Sequence, residues 1–190
     1  MCNLYIMRHG RTEWNKAEKI QGSLNSPLLE ESKANLISIA NWLLNKQIDI
    51  IYSSPLQRCK ESAEIVCSVL KKQFVTNNLL IECNHGLCEG LTIEEVKIKF
   101  ADFFNERSKK KWELPWPNGE SYKDVYMRSK FFLNTINREK NILIIAHETF
   151  NKTLVGNILH YNNEYIINMK QKNSEIFFIN RKNKLNIYNI

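Results

Sequence analysis

Several features that mark particular protein classes are scarce in this chain of 190 residues. Its six glycines and four prolines are too few for a collagen-like or low-complexity protein. No apolar run approaches the roughly 20 residues that are needed to span a bilayer. The first residues also lack the pattern of a signal peptide, so we expect a cytoplasmic protein that does not bind a membrane.

The five cysteines form neither a disulfide framework nor a metal-binding pattern. Their number is odd, and Cys83 and Cys88 are too far apart for a Cys-x-x-Cys site. We interpret all five as reduced thiols of a cytosolic protein, most of which serve as small buried side chains. The sequence offers no other cluster with the spacing of metal ligands, so we expect no metal.

The charge balance is basic, with 27 Lys and Arg against 20 Asp and Glu, a net charge of +7. Such a surplus can indicate a nucleic-acid partner. The dense basic runs at 107–111 and 181–184, however, are not interleaved with aromatic residues as a base-stacking surface would be. We therefore interpret them as solvated faces that attract anionic substrates, and we expect no nucleic-acid partner.

The order of predicted elements indicates an α/β protein. The length and the 43% of hydrophobic residues are sufficient for one domain over residues 1–190 with a sizeable core. Strands alternate with helices, which predicts a three-layer α/β/α sandwich with a mostly parallel central sheet. Strands are predicted at 3–7, 49–53, 79–82 and 141–146, with a closing hairpin at 175–180 and 185–188. Helices are predicted at 31–46, 54–72, shortly after 92, at 120–137 and up to 160, and an irregular stretch at 105–118.

Two of these helices carry specific local predictions. In the first, an apolar stripe is expected on one face, formed by Leu36, Ile37, Ala40, Leu43 and Leu44. In the second, Ser54 is expected to be the N-cap and Pro55 the first helical residue.

Residues that can do chemistry follow the ends of the predicted strands. Arg8 and His9 follow the first strand, and Arg58 lies in the first turn of the helix after the second. Glu82 ends the third strand, and His147 follows the strand at 141–146. Ligands of parallel sheets bind outside the carboxyl ends of the strands, so these four segments should converge on one edge.

The residue types in these positions suggest phosphoryl transfer through a histidine. A neutral His9 imidazole can attack phosphorus and form a covalent phosphohistidine, and the neighbouring arginines should disfavour its protonation. Arg8 and Arg58 can each fork onto phosphate oxygens. His147, if protonated, would add positive charge opposite the developing phosphoryl oxygens. Arg11 is equally compatible with direct contact and with a surface role.

The reaction also needs an acid for the leaving group and a base for the attacking water. Glu82 is the favoured candidate because a charged side chain at a strand end is unusual, and Glu89 is the rival. Asn15, Gln21 and Gly22 could donate hydrogen bonds to phosphate or to substrate hydroxyls. Their alternative role is that of ordinary polar loop residues.

The combination of motifs resembles the histidine phosphatase superfamily, which has the phosphoglycerate mutase-like fold. The resemblance covers nearly the whole chain. It implies that His9 is the phosphorylated nucleophile, that Arg8, Arg58 and His147 form the phosphate pocket, and that Glu82 is the proton donor. It also implies that no metal or organic cofactor takes part. The motifs that carry it are Arg8 to Asn15, Ser53 to Arg58, Glu82 with Gly86 and Glu89-Gly90, Pro117 to Ser121 with Arg128, Ile144 to His147, and Asn173.

Three positions depart from the pattern of the family that the chain resembles. Glu148 stands where the family usually has glycine after the second histidine. If its carboxylate faces the pocket, it should oppose carboxylated substrates, and Glu148→Gly should then change the preference between neutral and acidic phosphate esters. Ser32 replaces a frequent glycine without an expected consequence, and Cys88 replaces an aromatic residue, which would widen one wall of the pocket.

Within this resemblance the chain looks like the short phosphatase branch, which includes alpha-ribazole phosphatase and broad-specificity phosphatases. We expect a phosphomonoesterase for a small phosphate ester, with residues 105–118 at the rim of the pocket. A cofactor-dependent phosphoglycerate mutase and a non-catalytic phosphate-binding regulatory protein are the alternatives. Alpha-ribazole phosphate, sugar phosphates, nucleotides and phosphoproteins all remain open as substrates, and the sequence makes no prediction of the oligomeric state.

Overall fold

The computed structural model describes residues 3–137 and 139–190. Short 3-10 turns supplement the helices at Leu44–Lys46, Asn78–Leu80 and Gly86–Cys88. The six strands are β1 Leu4–Arg8, β2 Ile50–Ser53, β3 Val75–Thr76, β4 Ile142–Ala146, β5 Glu175–Ile179 and β6 Leu185–Asn189. The helices are α1 Glu13–Lys16, α2 Glu30–Leu43, α3 Gln57–Leu70, α4 Ile93–Lys99, α5 Ala101–Lys109, α6 Tyr122–Thr135, α7 Glu148–Leu159 and α8 Asn163–Asn168.

The strands form one sheet in the order β3-β2-β4-β1-β5-β6. The pairs β1–β4, β2–β4 and β2–β3 are parallel, whereas β5 is antiparallel to both β1 and β6. The register pairs Arg8 with Ala146 and Ser53 with Ile145. The carboxyl ends of the three central strands therefore lie level at one edge of the sheet.

The two faces of the sheet are both covered by helices because the strand side chains alternate. Leu4 and Ile6 of β1 pack in a core that also contains residues of α6 and α7, including Val125 and Phe150. Tyr5 and Met7 point to the opposite face, where the core includes residues of α2 and α3. The predicted three-layer α/β/α sandwich with a mostly parallel sheet is thereby confirmed.

The helix after β2 begins later than the sequence indicated. Its first residue is Gln57, and Leu56 stands at the N-cap position without a side-chain hydrogen bond. The predicted N-cap, Ser54, instead accepts a bond from the Leu56 amide at 3.3 Å and lies 2.9 Å from the ring of His147. The prediction of Ser54 as N-cap and Pro55 as first helical residue was therefore wrong, because the Ser54 hydroxyl binds His147 and the helix begins three residues later.

The apolar stripe of α2 also differs in part from the prediction. Leu36, Ala40 and Leu43 are buried as expected. Ile37 and Leu44 are exposed, and Ile39 takes the buried position. The helix is rotated so that the i, i+3, i+4 and i+7 positions from Leu36 face the sheet.

The predicted third strand at 79–82 was wrong. The strand that follows β2 in the chain and pairs with its outer side is the two-residue β3, and residues 78–80 form a 3-10 turn that leads into an irregular segment. The backbone of this segment finds partners outside the sheet, since Arg128 donates to the carbonyl oxygens of Leu79 at 2.8 Å and Ile81 at 2.6 Å. Glu82 consequently follows a turn and not a strand.

Other predicted elements are confirmed, with one correction at 105–118. The helix after Thr92, the helix beginning after Ser121 and the closing hairpin are all present. The stretch predicted to be irregular is helical up to Lys109, and α1 and α8 were not predicted. Four of the cysteines are buried free thiols, as expected, and Cys2 lies outside the described residues. Within the described part of the chain, no helix is long and apolar enough to cross a membrane.

Candidate active site

His9 lies directly after β1 and is buried, with 2% of its surface exposed. Its Nδ1 is 2.8 Å from the carbonyl oxygen of Gly10, and its Nε2 is 3.3 Å from Nε of Arg58. A carbonyl oxygen can only accept and a guanidinium can only donate, so Nδ1 carries the proton and Nε2 carries the lone pair. The network thus assigns the tautomer in which Nε2 is available as a nucleophile.

The surroundings of His9 also keep the ring neutral. Burial lowers the pKa of His9 well below its ordinary value, and the charges of Arg58 and Arg8 lower it further. The prediction that nearby arginines disfavour protonation is confirmed for these two residues, although desolvation is the larger cause. Arg11 does not take part, since its side chain is half exposed and pairs with Glu31 at 3.7 Å.

Arg58 is the centre of the hydrogen-bond network. It is 1% exposed and comes from the first turn of α3. Its Nη2 donates to the Gly22 carbonyl at 2.8 Å and to Nδ1 of His147 at 3.1 Å. Its Nη1 donates to the Leu24 carbonyl at 2.6 Å. The guanidinium is therefore fixed between the two histidines, where an anion would meet it.

His147 follows β4 and is fully buried. Because Arg58 donates to its Nδ1, the proton lies on Nε2, which donates to Oγ of Ser54 at 2.9 Å. Burial and then Arg58, His9 and Arg8 hold the pKa of His147 well below its ordinary value. The ring is therefore neutral, and the protonated form considered from the sequence is disfavoured because the ring is buried among cations.

Arg8 lies at the end of β1 and is held from two sides. Its Nη1 donates to the backbone carbonyl of Gln171 at 3.2 Å and forms an ion pair with Glu148 at 3.0 Å. Its Nε is buried without a hydrogen-bond partner in the described part of the chain. One donor of Arg8 is thus available for an acceptor that is not part of the protein.

Glu82 contacts the start of α7, directly after His147. Its Oε2 accepts from the amide of Thr149 at 3.3 Å, and its Oε1 accepts from Phe150 at 3.3 Å and from Cys83 at 2.8 Å. A carboxylate at a helix N-terminus is stabilised by the free amides and by the helix dipole. Glu82 therefore lies at the same edge of the sheet as the two histidines.

Arg128 of α6 holds the segment that carries Glu82. Besides the carbonyls of Leu79 and Ile81, it contacts the Glu82 carbonyl at 3.3 Å. A bidentate ion pair with Glu120, with bonds of 3.2 and 2.9 Å, fixes the guanidinium in turn. Because planar guanidinium groups suit such multiple contacts, Arg128 acts as a clamp on residues 79–82.

Glu89, the rival of Glu82, has both carboxylate oxygens engaged in the neighbouring loop. Oε1 accepts from the amides of Ser23 at 2.8 Å and His85 at 3.0 Å, and Oε2 accepts from Oγ of Ser23 at 2.7 Å. Gly22 packs against this carboxylate with a positive φ of 52°, where a side chain would be strained and would clash. Glu89 thereby shapes the loop that presents the Gly22 carbonyl to Arg58.

The remaining predicted binding residues differ in their placement. Gln21 is buried next to Gly22, and its Oε1 has no partner among the described residues. Asn15 caps the first short helix in a reciprocal arrangement with Thr12, to which its Oδ1 is bound. The geometry accordingly places Gly22 against Arg58, with Gln21 next to it in the chain, whereas the side-chain oxygen of Asn15 is committed to the helix cap.

A cavity of about 1000 Å³ adjoins the residues that contact Arg8 and Glu82, and we call it the outer chamber. Its wall includes Glu148, which pairs with Arg8, and Thr149, which binds Glu82. The predicted rim at 105–118 does line it, through Trp112 and Trp116 among others. Across residues 3–137 and 139–190, no group of three or more His, Cys, Asp or Glu is placed to hold a metal ion.

Several residues of the site were assigned no chemical role in the sequence analysis, although Asn173 was named there as part of the family's motifs. Asn173 donates to the His9 carbonyl at 2.6 Å, and Ser62 accepts from the Gly10 amide at 2.9 Å. Buried Gln171 donates to the Ile6 carbonyl at 2.9 Å and accepts from Asn151. These polar groups fix the turn that carries His9. Their signal in the sequence is weak because Ser, Asn and Gln are common in any loop.

The buried histidines predict a steep loss of stability in acid. His9, His147 and the enclosed His85 all have a lowered pKa because of burial, to about 4 for His85. Below about pH 6.5 the unfolded chain binds protons that the folded chain does not, so the free energy of unfolding falls as the pH falls. Each ring contributes up to ~1.4 kcal/mol per pH unit until the pH reaches its folded pKa.

Urea unfolding between about pH 5 and pH 7 measures this slope. The variant His85→Asn removes one of the three rings without touching the His9–Arg58–His147 network. Its stability should depend on pH less steeply than that of the wild type, by about 1.4 kcal/mol per unit. Identical slopes for the two proteins would show that His85 binds its proton at the same pH in the folded and the unfolded chain.

The comparison with known families agrees with this geometry. The family model of the histidine phosphatase superfamily (branch 1) matches residues 4–186, so the chain belongs to that superfamily. The predicted resemblance is thereby confirmed.

Individual relatives carry different names. Phosphoserine phosphatase 1 of Hydrogenobacter thermophilus is 29% identical over 150 residues, which cover 77% of this chain and 71% of that protein. The 6-phosphofructo-2-kinase/fructose-2,6-bisphosphatase of Caenorhabditis elegans is 28% identical over 150 residues, 77% of this chain but only 32% of that protein. The solved alpha-ribazole phosphatase of Shigella flexneri has the same fold, with a TM-score of 0.86, 21% identity, and coverage of 99% of this chain and 96% of that one.

Proposed function

We propose that the protein is a metal-independent phosphomonoesterase for a small phosphate ester. The observation that carries the proposal is the His9 tautomer: a buried imidazole whose unprotonated Nε2 faces the Arg58 guanidinium at 3.3 Å. A nucleophile that is neutral, oriented and next to fixed cations suits attack on a phosphate dianion. The phosphatases among its relatives support the same reaction class.

In the first step the lone pair of His9 Nε2 forms a bond to phosphorus while the ester P–O bond breaks. The oxygens of the transferred phosphoryl group face Arg58 and the Nε of Arg8, which stabilise the charge that spreads over these oxygens. Glu82 gives a proton to the leaving oxygen, so the product leaves as an alcohol. The negative charge of the bound phosphate favours uptake of a solvent proton at Nδ1 of His147, once Nη2 of Arg58 turns from that nitrogen to the phosphate.

In the second step water attacks the phosphorus of the phosphohistidine. Glu82, now a carboxylate, takes a proton from that water, and the P–N bond breaks to release inorganic phosphate and neutral His9. Glu82 is protonated again, so no proton is gained or lost over the cycle at this residue. The Nδ1–H bond to Gly10 holds the ring in the same orientation throughout.

The test is hydrolysis of p-nitrophenyl phosphate by the wild type with excess EDTA, measured over about pH 4 to 8. Turnover should be unaffected by the chelator. Because burial and the arginines lower the pKa of His9, kcat/KM should not lose a required base near pH 6.5. Activity that disappears in EDTA and returns with added metal would contradict the proposal, as would a fall in kcat/KM that is centred at the ordinary histidine pKa.

A further inference from the structure

The outer chamber contains a concentration of positive charge that the proposed phosphate site does not use. Its volume, about 1000 Å³, is at the upper end of the range for small-molecule pockets, roughly 300–1000 Å³. The basic residues in its wall are Arg107, Lys109, Lys110, Lys111, Lys152 and Lys170, and the acidic residues are Glu113, Glu148 and Glu164. Six positive and three negative charges give the wall a net charge of +3.

Four of these cations converge on one another. The pKa of Lys111 is lowered first by burial and then by the charges of Lys170 and Arg107. Burial lowers the pKa of Lys152 to about 8, and the charge of Glu148 opposes this shift whereas those of Lys170 and Lys111 add to it. Among the described residues none of the four forms an ion pair with a carboxylate. The cations therefore repel one another, and Glu148, whose charge favours the protonated form of Lys111 and Lys152, forms no ion pair with any of the four.

Two of the four cations are buried, which makes the lack of an ion pair costly. Lys152 is 2% exposed, and its Nζ donates to the Tyr122 hydroxyl at 3.2 Å and to the carbonyls of Ile167 and Met169. These partners are neutral. A buried lysine with only neutral acceptors is a group that an anion in the chamber would stabilise.

Arg107 is 4% exposed and is likewise bound only to neutral groups. Its Nη1 donates to the carbonyl of Leu114, and its guanidinium lies 4.3 Å from the ring centroid of Trp116. Its Nη2 is buried and has no hydrogen-bond partner in the described part of the chain. The basic run at 107–111 is exposed from Ser108 to Lys111, as the sequence had suggested, but its first residue, Arg107, belongs to the interior wall of the chamber.

Glu148 lines the chamber and partly offsets this cluster, but it forms no ion pair with any of the four cations. Its carboxylate is bound to Arg8 at 3.0 Å. The expectation that Glu148 opposes carboxylated substrates considered that residue alone. With its charge opposed by Arg8, the cations on the other walls determine the sign of the chamber.

We propose that the outer chamber binds a second anionic group of the substrate, a carboxylate or a further phosphate, through Arg107, Lys111, Lys152 and Lys170. The inference rests on the proposed phosphatase function and narrows its substrates to phosphate monoesters that carry another negative charge. Glu148 and Thr149 border both regions, so one molecule can place its reacting phosphate at His9 and its second anion in the chamber.

Matched pairs of esters test the proposal. 3-Phosphoglycerate carries a carboxylate where glycerol 3-phosphate has a hydroxymethyl group. Glucose 1,6-bisphosphate carries one phosphate more than glucose 6-phosphate. In one of the two pairs, we expect kcat/KM to be at least about tenfold higher for the member that carries the second anionic group. The pair that shows this difference identifies whether the chamber binds a carboxylate or a second phosphate. The ratio should shrink when salt is raised from about 0.05 to 0.5 M, because the cations at the rim are screened.

The variant Lys111→Met/Lys170→Met separates this effect from general anion attraction. Both side chains lie in exposed stretches of the wall, so the fold should tolerate the change. The ratio of kcat/KM within the preferred pair should fall about tenfold, whereas Lys111→Arg/Lys170→Arg should retain it. The control is Lys182→Met, which lies in the β5–β6 turn at the opposite edge of the sheet and should leave the ratio unchanged.

The possible results separate the two proposals. Ratios near one in the wild type, with turnover that still requires His9, would overturn the second-anion site and leave the phosphatase intact. A high ratio that is unchanged in the double methionine variant would overturn the assignment to these cations. If no ester is hydrolysed, the phosphatase proposal fails. Calorimetry would then test the second-anion site by itself. The site would be rejected as well if 3-phosphoglycerate bound no tighter than glycerol 3-phosphate, and glucose 1,6-bisphosphate no tighter than glucose 6-phosphate.

Discussion

Replacing His9 by alanine is expected to lower kcat for p-nitrophenyl phosphate by on the order of 10⁵-fold. The alanine variant has no atom that can bond to phosphorus, and the arginines that remain can only hold the ester. Binding should suffer much less, because Arg8 and Arg58 are still present to contact the phosphate. Initial rates at saturating substrate, together with calorimetric binding of inorganic phosphate, separate the two effects.

His160→Asn is the matched control for this variant. His160 is exposed at the end of α7 with a positive φ of 56°, a conformation that asparagine tolerates. Its replacement should change kcat less than about twofold, as is usual for surface positions. If His9→Ala kept more than about a hundredth of the wild-type rate, another group would have to be the nucleophile.

The second large effect is expected for Glu82→Gln, and its size should depend on the leaving group. An alkyl phosphate needs protonation of its leaving oxygen, so kcat should fall by about 10²- to 10⁴-fold. The p-nitrophenolate ion leaves without a proton, so the first step should survive while hydrolysis of the phosphohistidine is slow. Stopped-flow measurements should therefore show a burst of p-nitrophenol equal to the enzyme concentration, followed by slow turnover.

Glu89→Gln distinguishes the two candidate acids. Because Glu89 binds Ser23 and His85 and orders the loop beside Arg58, its replacement should lower kcat by less than about tenfold for both kinds of leaving group. A larger loss with alkyl phosphates in Glu89→Gln than in Glu82→Gln would reverse the assignment. Equal losses with both esters in the rate of the first step, the phosphorylation of His9, in Glu82→Gln would exclude proton donation as its role.

The positions of the central residues could be predicted because they follow from the topology. His9 and His147 directly follow β1 and β4, which the sequence marks as largely apolar runs. Arg58 lies in the first turn of the helix that follows β2. Parallel strands bring their carboxyl ends to one edge whatever the details of packing. The sequence pattern was therefore sufficient to bring these three side chains together.

Glu82 was placed at the correct edge for a partly incorrect reason. The apolar residues before it suggested a strand, whereas the backbone of 79–82 is held by Arg128 of a helix far along the chain. A periodicity argument considers only neighbours in sequence and cannot identify a side chain that replaces a strand partner. The pairing of Arg128 with Glu120 is visible only in three dimensions.

The chamber could not be predicted from composition. Arg107 and its neighbours form a basic run of the kind that usually faces solvent, and only the packing of Trp116 against it shows that the first residue is interior. Lys152 carried a stronger signal, since it lies between Phe150 and Leu154 in a helix that is buried on nearly every side. A lysine within such an apolar stretch requires a polar partner or a ligand.

The most direct test of the account is to identify the phosphorylated residue. Glu82→Gln is mixed with excess p-nitrophenyl phosphate, quenched at alkaline pH within the burst, and digested for mass spectrometry. The proposed mechanism predicts one added phosphoryl group on His9 that is stable to alkali and lost in acid. It should be absent when the double variant His9→Ala/Glu82→Gln is treated in the same way. A phosphoryl group on any other residue, or turnover with no covalent adduct in the burst phase, would contradict it.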